Sequence, residues 1–254
     1  MTATYLYCLV KAAKTPSVAQ APDGVPGAGA PDAILVTPAL WMVAADVPTD
    51  LYTGPGLEHA LVDLDRVGRI ALGHEAVVEH FAKQSTHTVI PLKLFTMFSS
   101  REKAAADIRA RKAAIERTMK RIAGAEEWGV RVFPADRSPA TSVPADAPAI
   151  SGAAFLAAKK QARDVARTAR LAAAEAATHV FTRLSAIARD AHQRVDAPAT
   201  AATPPLLDAA FLVPAEKRAA FQKAAQREAE ACQRAGAELA LTGPWPAYHF
   251  AVAD

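Results

Sequence analysis

The chain has 254 residues, of which 51% are apolar and 22% charged, and its formal net charge is +3. This composition is typical of a folded globular protein with one large or two smaller domains, and so small a positive excess does not indicate nucleic-acid binding. No apolar run approaches the ~20 residues of a membrane span, and the N-terminus lacks the pattern of a signal peptide. Cys8 and Cys232 form no CxxC pair, so we expect reduced thiols in a cytoplasmic protein.

The first half of the sequence predicts a mixture of strands and helices. Strands are expected at residues 4–11, 33–37, 40–45 and 127–133,. A loop rich in Pro and Gly, residues 13–32, follows the first strand,. Helices are expected at 65–82 and from about Ser100 to Ala123,. Pro91 interrupts the strand-like stretch between these helices and predicts a bend or bulge there,.

The second half repeats this architecture after a linker. Residues 134–150 contain four prolines and predict an interdomain linker,. The elements that follow are a long helix at 152–195, a strand at 206–213, a helix at 215–235 that ends at Gly236, and a strand at 237–242,. A split βαβ arrangement, with helices on one face of an antiparallel sheet, fits each half. The predicted domains are therefore 1–133 and 151–254.

The stretch from 152 to 195 stands out because it has no Gly or Pro after Gly152. A continuous helix of this length would be roughly 65 Å long, which exceeds the width of a compact domain. Small and apolar residues recur along one side at the spacing of a heptad seam. The seam consists of Phe155, Ala158, Ala162, Val165, Ala169, Ala172, Ala176, Val180, Leu184, Ile187 and Ala191.

Two interpretations of this helix remain open: a structural helix packed on its own domain, or a coiled-coil surface for another protein. We expect the C-terminal half of the seam to pack within the chain against helix 215–235. The candidate contact residues for other proteins lie on the seam and on the basic outer face. They are Val165, Ala169, Ala172, Ala176, Arg163, Arg167 and Arg170.

The sequence offers little evidence of catalysis. The nearest approach to a metal motif is HEAVVEH at residues 74–80, but its two His are six residues apart and lie on nearly opposite faces of a helix, unlike those of HExxH. A metal-dependent enzyme that uses His74, Glu75 and His80 is therefore the weaker interpretation. No nucleophile elbow, phosphate loop or dinucleotide fingerprint occurs. We expect no enzyme activity, catalytic residue, metal or cofactor.

Four stretches carry a resemblance to a known family. They are YLYCLV at 5–10, TVIPLKLFTMF at 88–98, EWGVRVF at 127–133 and AELALTGPWPAYHF at 237–250. In this order they resemble the GvpL/GvpF family of gas vesicle proteins over nearly the whole chain. The signature residues are Pro91, Phe95, Trp128, Gly129, Gly243, Pro244, Trp245 and Pro246. We expect the Trp245 ring to pack on the C-terminal sheet, with the flanking prolines fixing a turn.

The resemblance implies an α+β fold, with an N-terminal ferredoxin-like domain and a C-terminal α/β domain that carries a long coiled-coil helix. It implies an accessory protein for gas vesicle assembly that binds the small hydrophobic shell protein and other vesicle proteins, as a chaperone or nucleator. It brings no cofactor, and it places the protein at the gas vesicle and in the cytoplasm, with neither nucleic acid nor membrane as partner. The alternative function is a coiled-coil adaptor protein unrelated to vesicles.

Overall fold

The computed structural model describes residues 1–84, 86–135, 152–194 and 204–251. The chain divides into two units, Met1–Glu127 with Pro244–Asp254, and Trp128–Gly243. Most of the predicted linker, residues 136–150, lies outside the described residues. The division differs from the predicted domains at the C-terminus, because the segment after Gly243 belongs to the first unit. There Tyr248 packs against the first unit's hydrophobic core.

The first unit is built on an antiparallel sheet. Its strands are β1 (Thr2–Lys11), β2 (Asp32–Thr37), β3 (Leu40–Pro48), β4 (Thr88–Pro91) and β5 (Met97–Phe98). The order is β2-β3-β1-β4, with β5 also paired to β1. This is the second–third–first–fourth order of a ferredoxin-like split βαβ sheet, with the loop after β1 in place of the first crossover helix. The eight inner residues of the central strand β1 are all buried.

Helices fill the connections of the first unit. They are α1 (Thr49–Tyr52), α2 (Gly54–Val62), α3 (Leu64–Ala82), α4 (Arg101–Ala110) and α5 (Lys112–Ile122). The Asp63 side chain caps α3 by accepting a hydrogen bond from the Arg66 backbone N–H at 3.1 Å,. The Ser100 side chain caps α4 by accepting a hydrogen bond from the Lys103 backbone N–H. The single helix predicted up to Ala123 is interrupted at Arg111, where the backbone leaves the helical region (φ −98°, ψ 14°).

The second unit has the same strand order as the first. Its elements are β6 (Ala125–Pro134), α6 (Gly152–Ser185), β7 (Asp190–Gln193), β8 (Leu207–Pro214), α7 (Arg218–Ala235) and β9 (Ala237–Trp245). The sheet order β7-β8-β6-β9 is again second–third–first–fourth, here with a helix in both crossovers. The predicted α+β fold with a split βαβ sheet in each half is confirmed. Gly236 ends α7 in the left-handed conformation (φ 78°) that glycine tolerates,.

Two predicted boundaries in this unit are wrong. The long helix ends at Ser185 rather than at 195, because the chain turns there and β7 pairs with β8. The Arg189 backbone N–H donates to the Leu212 carbonyl at 2.7 Å, which starts this pairing. The turn predicted for 243–246 is also displaced, since β9 continues through Gly243 and Pro244 to Trp245.

Candidate protein-contact surface

The second half of α6 is part of the core of its own unit. Ala173, Ala177, Val180 and Leu184 follow one another at steps of three and four, and each is at most 3% exposed,. They belong to the hydrophobic cluster that also contains residues of α7. Val180 and Leu184 are predicted seam residues, whereas Ala173 and Ala177 each lie one position after a seam residue, so the buried stripe is shifted from the predicted one. The expectation that the C-terminal half of the seam packs within the chain is confirmed for Val180 and Leu184. Ala176 packs against the same cluster, so this candidate contact residue supports the fold and is not a free surface position.

The first half of α6 is exposed. Its large apolar side chains, Phe155, Leu156, Val165 and Leu171, are between 54% and 66% exposed. Single exposed apolar residues are normal on a protein surface. These four project in different directions around α6, so this half of the helix exposes apolar side chains on more than one face. The three remaining seam candidates, Val165, Ala169 and Ala172, lie on or beside this exposed part.

These three residues line a groove of about 650 Å³ along α6. Its other wall includes Arg234 and Ala235, at the C-terminal end of α7. The sequence pattern identified the α6 residues from their spacing, but it did not identify the contribution of α7. The available signal was Gly236, which fixes where α7 ends but not which part of α6 lies beside that end.

The basic candidates form a different face of α6. Arg163, Arg167 and Arg170 line a second depression of about 730 Å³ together with Lys159 and Lys160. None of these five cations has an ion pair with another residue in the described part of the chain. Their positive charge is therefore not neutralised by an ion pair within the described ranges.

The candidate metal ligands of the sequence do not converge. His74 lies between the Tyr5 hydroxyl and the Leu92 carbonyl, at 3.0 Å from each. Glu75 accepts a hydrogen bond from the Tyr248 hydroxyl, and His80 Nε2 lies 3.2 Å from the Ser17 carbonyl. Each side chain therefore has separate partners, and within the described ranges no three His, Cys, Asp or Glu side chains are grouped so that they could hold a metal ion.

His74 instead organises the signature loop after Pro91. Because the Leu92 carbonyl can only accept, Nε2 of His74 carries the proton and Nδ1 accepts from the Tyr5 hydroxyl,. The same hydroxyl accepts a hydrogen bond from the Phe95 backbone N–H at 3.3 Å. Phe95 has a φ of 62°, a strained conformation for a bulky residue. The hydrogen bonds of the Tyr5–His74 pair fix both ends of the loop and offset this strain.

Burial sets the protonation state of this network. It lowers the pKa of His74 to about 4, against an opposing effect of the Leu92 carbonyl, and it raises the pKa of the Tyr5 hydroxyl. Both side chains are therefore neutral near pH 7. A neutral imidazole with both nitrogens hydrogen-bonded is a structural group, so the interpretation of His74 as a buried helix residue agrees with its surroundings.

The signature residues on β6 and β9 have different roles. Trp128 is 3% exposed, and its ring lies 6.1 Å from that of Phe221, centroid to centroid. A Cβ atom at Gly129 would lie 2.6 Å from the Thr242 Oγ1, so only glycine allows β9 to approach β6 at this point. Trp245, at the end of the edge strand β9, is 43% exposed. More than half of its surface is therefore covered, and the packing of its ring on the C-terminal sheet stays a prediction.

The segment after Trp245 is attached to the first unit by polar contacts that the sequence did not predict. The His249 backbone N–H donates to Glu127 at 2.8 Å, and Arg121 donates to the Phe250 carbonyl. Phe250 itself is fully buried. Burial raises the pKa of the Glu75 carboxyl, and the hydrogen bond that this carboxyl accepts from the Tyr248 hydroxyl lowers it by a smaller amount. These contacts explain why the C-terminal segment belongs to the first unit.

The described helices include none with the length and apolar character needed to cross a membrane. The arrangement is that of a two-unit α+β protein with tandem split βαβ sheets and a partly exposed helix lined by an apolar groove and a basic face. The family model described as gas vesicle synthesis protein GvpL/GvpF matches residues 3–252. The chain therefore belongs to the GvpL/GvpF family, which favours a vesicle-related role over an unrelated adaptor.

Solved structures of similar fold come from the same kind of protein. The crystal structure of the gas vesicle protein GvpF from Anabaena sp. PCC7120 has a TM-score of 0.71 and 14% sequence identity, and the match covers 100% of this chain and 98% of that chain. The GvpF structure from Microcystis aeruginosa has a TM-score of 0.63 and 13% identity, with 98% and 99% covered. At this identity the likeness concerns the fold alone. The comparison with curated protein sequences gives no match.

Proposed function

We propose that this protein is a non-enzymatic assembly factor for gas vesicles. It binds the small hydrophobic shell protein, and other vesicle proteins, as a chaperone or nucleator in the cytoplasm and at the growing vesicle. It uses no cofactor and acts on neither nucleic acid nor membrane. The observation that carries the proposal is the first half of α6, whose large apolar side chains are more than half exposed, while the second half contributes buried residues to the core of its unit.

The physical reason is the solubility of the client. A shell protein with a large apolar face aggregates through that face and through unpaired strand edges before it is assembled. An amphipathic helix of such a client can lie in a groove on a partner. In this chain the groove beside Val165 offers that place, and the small side chains of Ala169 and Ala172 allow a client helix to approach closely. Covering a half-exposed Val would contribute about 1 kcal/mol.

Capture of the shell protein by the immobilised full-length chain tests this proposal. In the variant Val165→Asp/Ala169→Asp, two carboxylates enter the groove, and we expect capture to fall at least about tenfold because burying an unpaired charge is costly. The matched control is Ala174→Asp, an exposed position of the same helix that does not line the groove. Equal capture by both variants, with helix content unchanged, would contradict the proposed site.

A further inference from the structure

The basic face of α6 carries cations that form no ion pair with the described residues of their own unit. Around an ideal helix, Leu156, Arg163, Arg167 and Arg170 fall within about 60° of one another. Lys159 and Lys160 flank this stripe. Leu156 and Leu171, at its two ends, are 66% and 56% exposed and lie about 22 Å apart along the helix axis. The face is therefore a row of cations between two apolar side chains.

Electrostatics restricts what can cover this face. Five cations line the depression and only Asp164 opposes them, with no ion pair to any residue the structure describes. A second copy of the chain would bring the same positive row, so symmetric pairing of two such faces is opposed by like charges. The complementary surface is anionic.

The apolar ends distinguish a protein partner from a nucleic acid. Phosphates would be bound by the arginines but would gain nothing from Leu156 and Leu171. Among the described residues that line the depression none is aromatic, so they provide no stacking platform of the kind found in single-strand binding surfaces. A helix with acidic residues at steps of three and four, and an apolar residue at each end, would complement every feature of the face.

We propose that this face is the docking surface for an acidic amphipathic helix of a partner protein, with its carboxylates on Arg163, Arg167 and Arg170 and its apolar ends on Leu156 and Leu171. Its centre differs from that of the groove of the proposed function, because Val165 lies about 180° from Leu156 around the helix. The two depressions share Lys160 and Asp164 at their border, but Arg163, Arg167 and Arg170 line only this one.

Binding of a designed peptide to the full-length chain tests this inference. The probe is a fluorescent helical peptide of about 20 residues, with Glu at steps of three and four and Leu at each end; a second peptide carries Ser in place of both Leu. We expect the first peptide to bind, its affinity to fall with added salt because exposed ion pairs are screened, and the Ser peptide to bind more weakly.

Charge-reversed variants locate the site. Arg163→Glu/Arg167→Glu/Arg170→Glu is expected to weaken binding of the Leu peptide at least about tenfold, since three favourable pairs become repulsive. The control Lys217→Glu/Lys223→Glu/Arg227→Glu makes the same change in net charge at exposed positions outside α6 and should have little effect.

Three results would overturn the inference. They are equal weakening by both triple variants, no loss for the Ser peptide, and tighter binding of a single-stranded DNA of similar length that the α6 variant abolishes. The last would identify the face as a nucleic-acid site. Capture of the shell protein by the α6 triple variant should be unchanged. Failure of this inference can thus be distinguished from failure of the proposed function.

Discussion

The neutral state of His74 gives a pH dependence that can be measured. The perturbation is a fall in pH from 7 to 4. In the folded chain, burial lowers the pKa of His74 to about 4 from its ordinary value of 6.5. The unfolded chain takes up a proton near pH 6.5, whereas the folded chain takes it up only near pH 4. The stability contributed by neutral His74 is therefore complete above about pH 6.5 and is lost progressively as the pH falls toward 4.

The magnitude follows from the same two values. The difference between 6.5 and about 4, at about 1.4 kcal/mol for each pH unit, corresponds to roughly 3 kcal/mol of the free energy of unfolding. The aromatic neighbours Tyr5 and Tyr7 do not titrate in this range, because burial raises the pKa of both hydroxyls. Glu75 changes the stability in the opposite direction on acidification, because its pKa is raised in the folded chain. This effect is present in the wild type and in a His74 variant alike, so it cancels when the two are compared.

The assay is urea unfolding of the wild-type chain and His74→Gln at several pH values from 7 to 4. Replacing Trp128 and Trp245 with Phe in both proteins makes the fluorescence of Trp41 report on the first unit alone. Gln can donate to the Leu92 carbonyl but does not titrate. We expect the variant to be less stable at pH 7, and to lose about 3 kcal/mol less than the wild type on acidification. Parallel curves for the two proteins would refute the reasoning.

Two matched pairs test the packing of the helices by thermal unfolding. In α3, Gly68→Ala should stabilise by about 0.5–1 kcal/mol because a Cβ there meets open space,. By contrast Gly73→Ala should destabilise, because its Cβ would lie 2.2 Å from the Gly24 carbonyl oxygen; the reverse order would contradict this packing. In α6, buried Leu184→Ala should cost about 3–5 kcal/mol and exposed Leu171→Ala less than about 0.5 kcal/mol,. Similar losses would contradict the change from exposed to buried along α6.

The architecture could be predicted because it depends on local signals. Strand patterns, helix periodicity and the glycine that ends α7 indicate a split βαβ unit in each half, and the structure has that strand order twice. The end of α6 could not be predicted in this way, because Ile187 and Ala191 continue the seam spacing beyond Ser185. What ends the helix is pairing with β8, some twenty residues later in the chain, and helix periodicity carries no information about it.

The candidate surface was only partly predictable for the same reason. The heptad spacing identified Val165, Ala169 and Ala172. Helix periodicity, however, does not distinguish a seam that packs against its own unit from one that stays exposed. That distinction depends on the position of the C-terminal end of α7, where Arg234 lines the groove. Ala176, by contrast, is partly buried against the hydrophobic core of the unit. The left-handed backbone conformation of Phe95 could not be predicted either. It is stabilised by a hydrogen bond from the Phe95 backbone N–H to the Tyr5 hydroxyl, ninety positions away in the sequence.

Vesicle formation in cells tests the central claim most directly. A strain whose only copy of the gene carries Val165→Asp/Ala169→Asp should contain few or no gas vesicles by electron microscopy, like a deletion strain, although the variant protein accumulates normally. A strain with Ala174→Asp should contain vesicles in normal number. Normal vesicle numbers in the deletion strain would contradict the assembly role, and normal numbers in the groove variant alone would contradict the assignment of that role to α6.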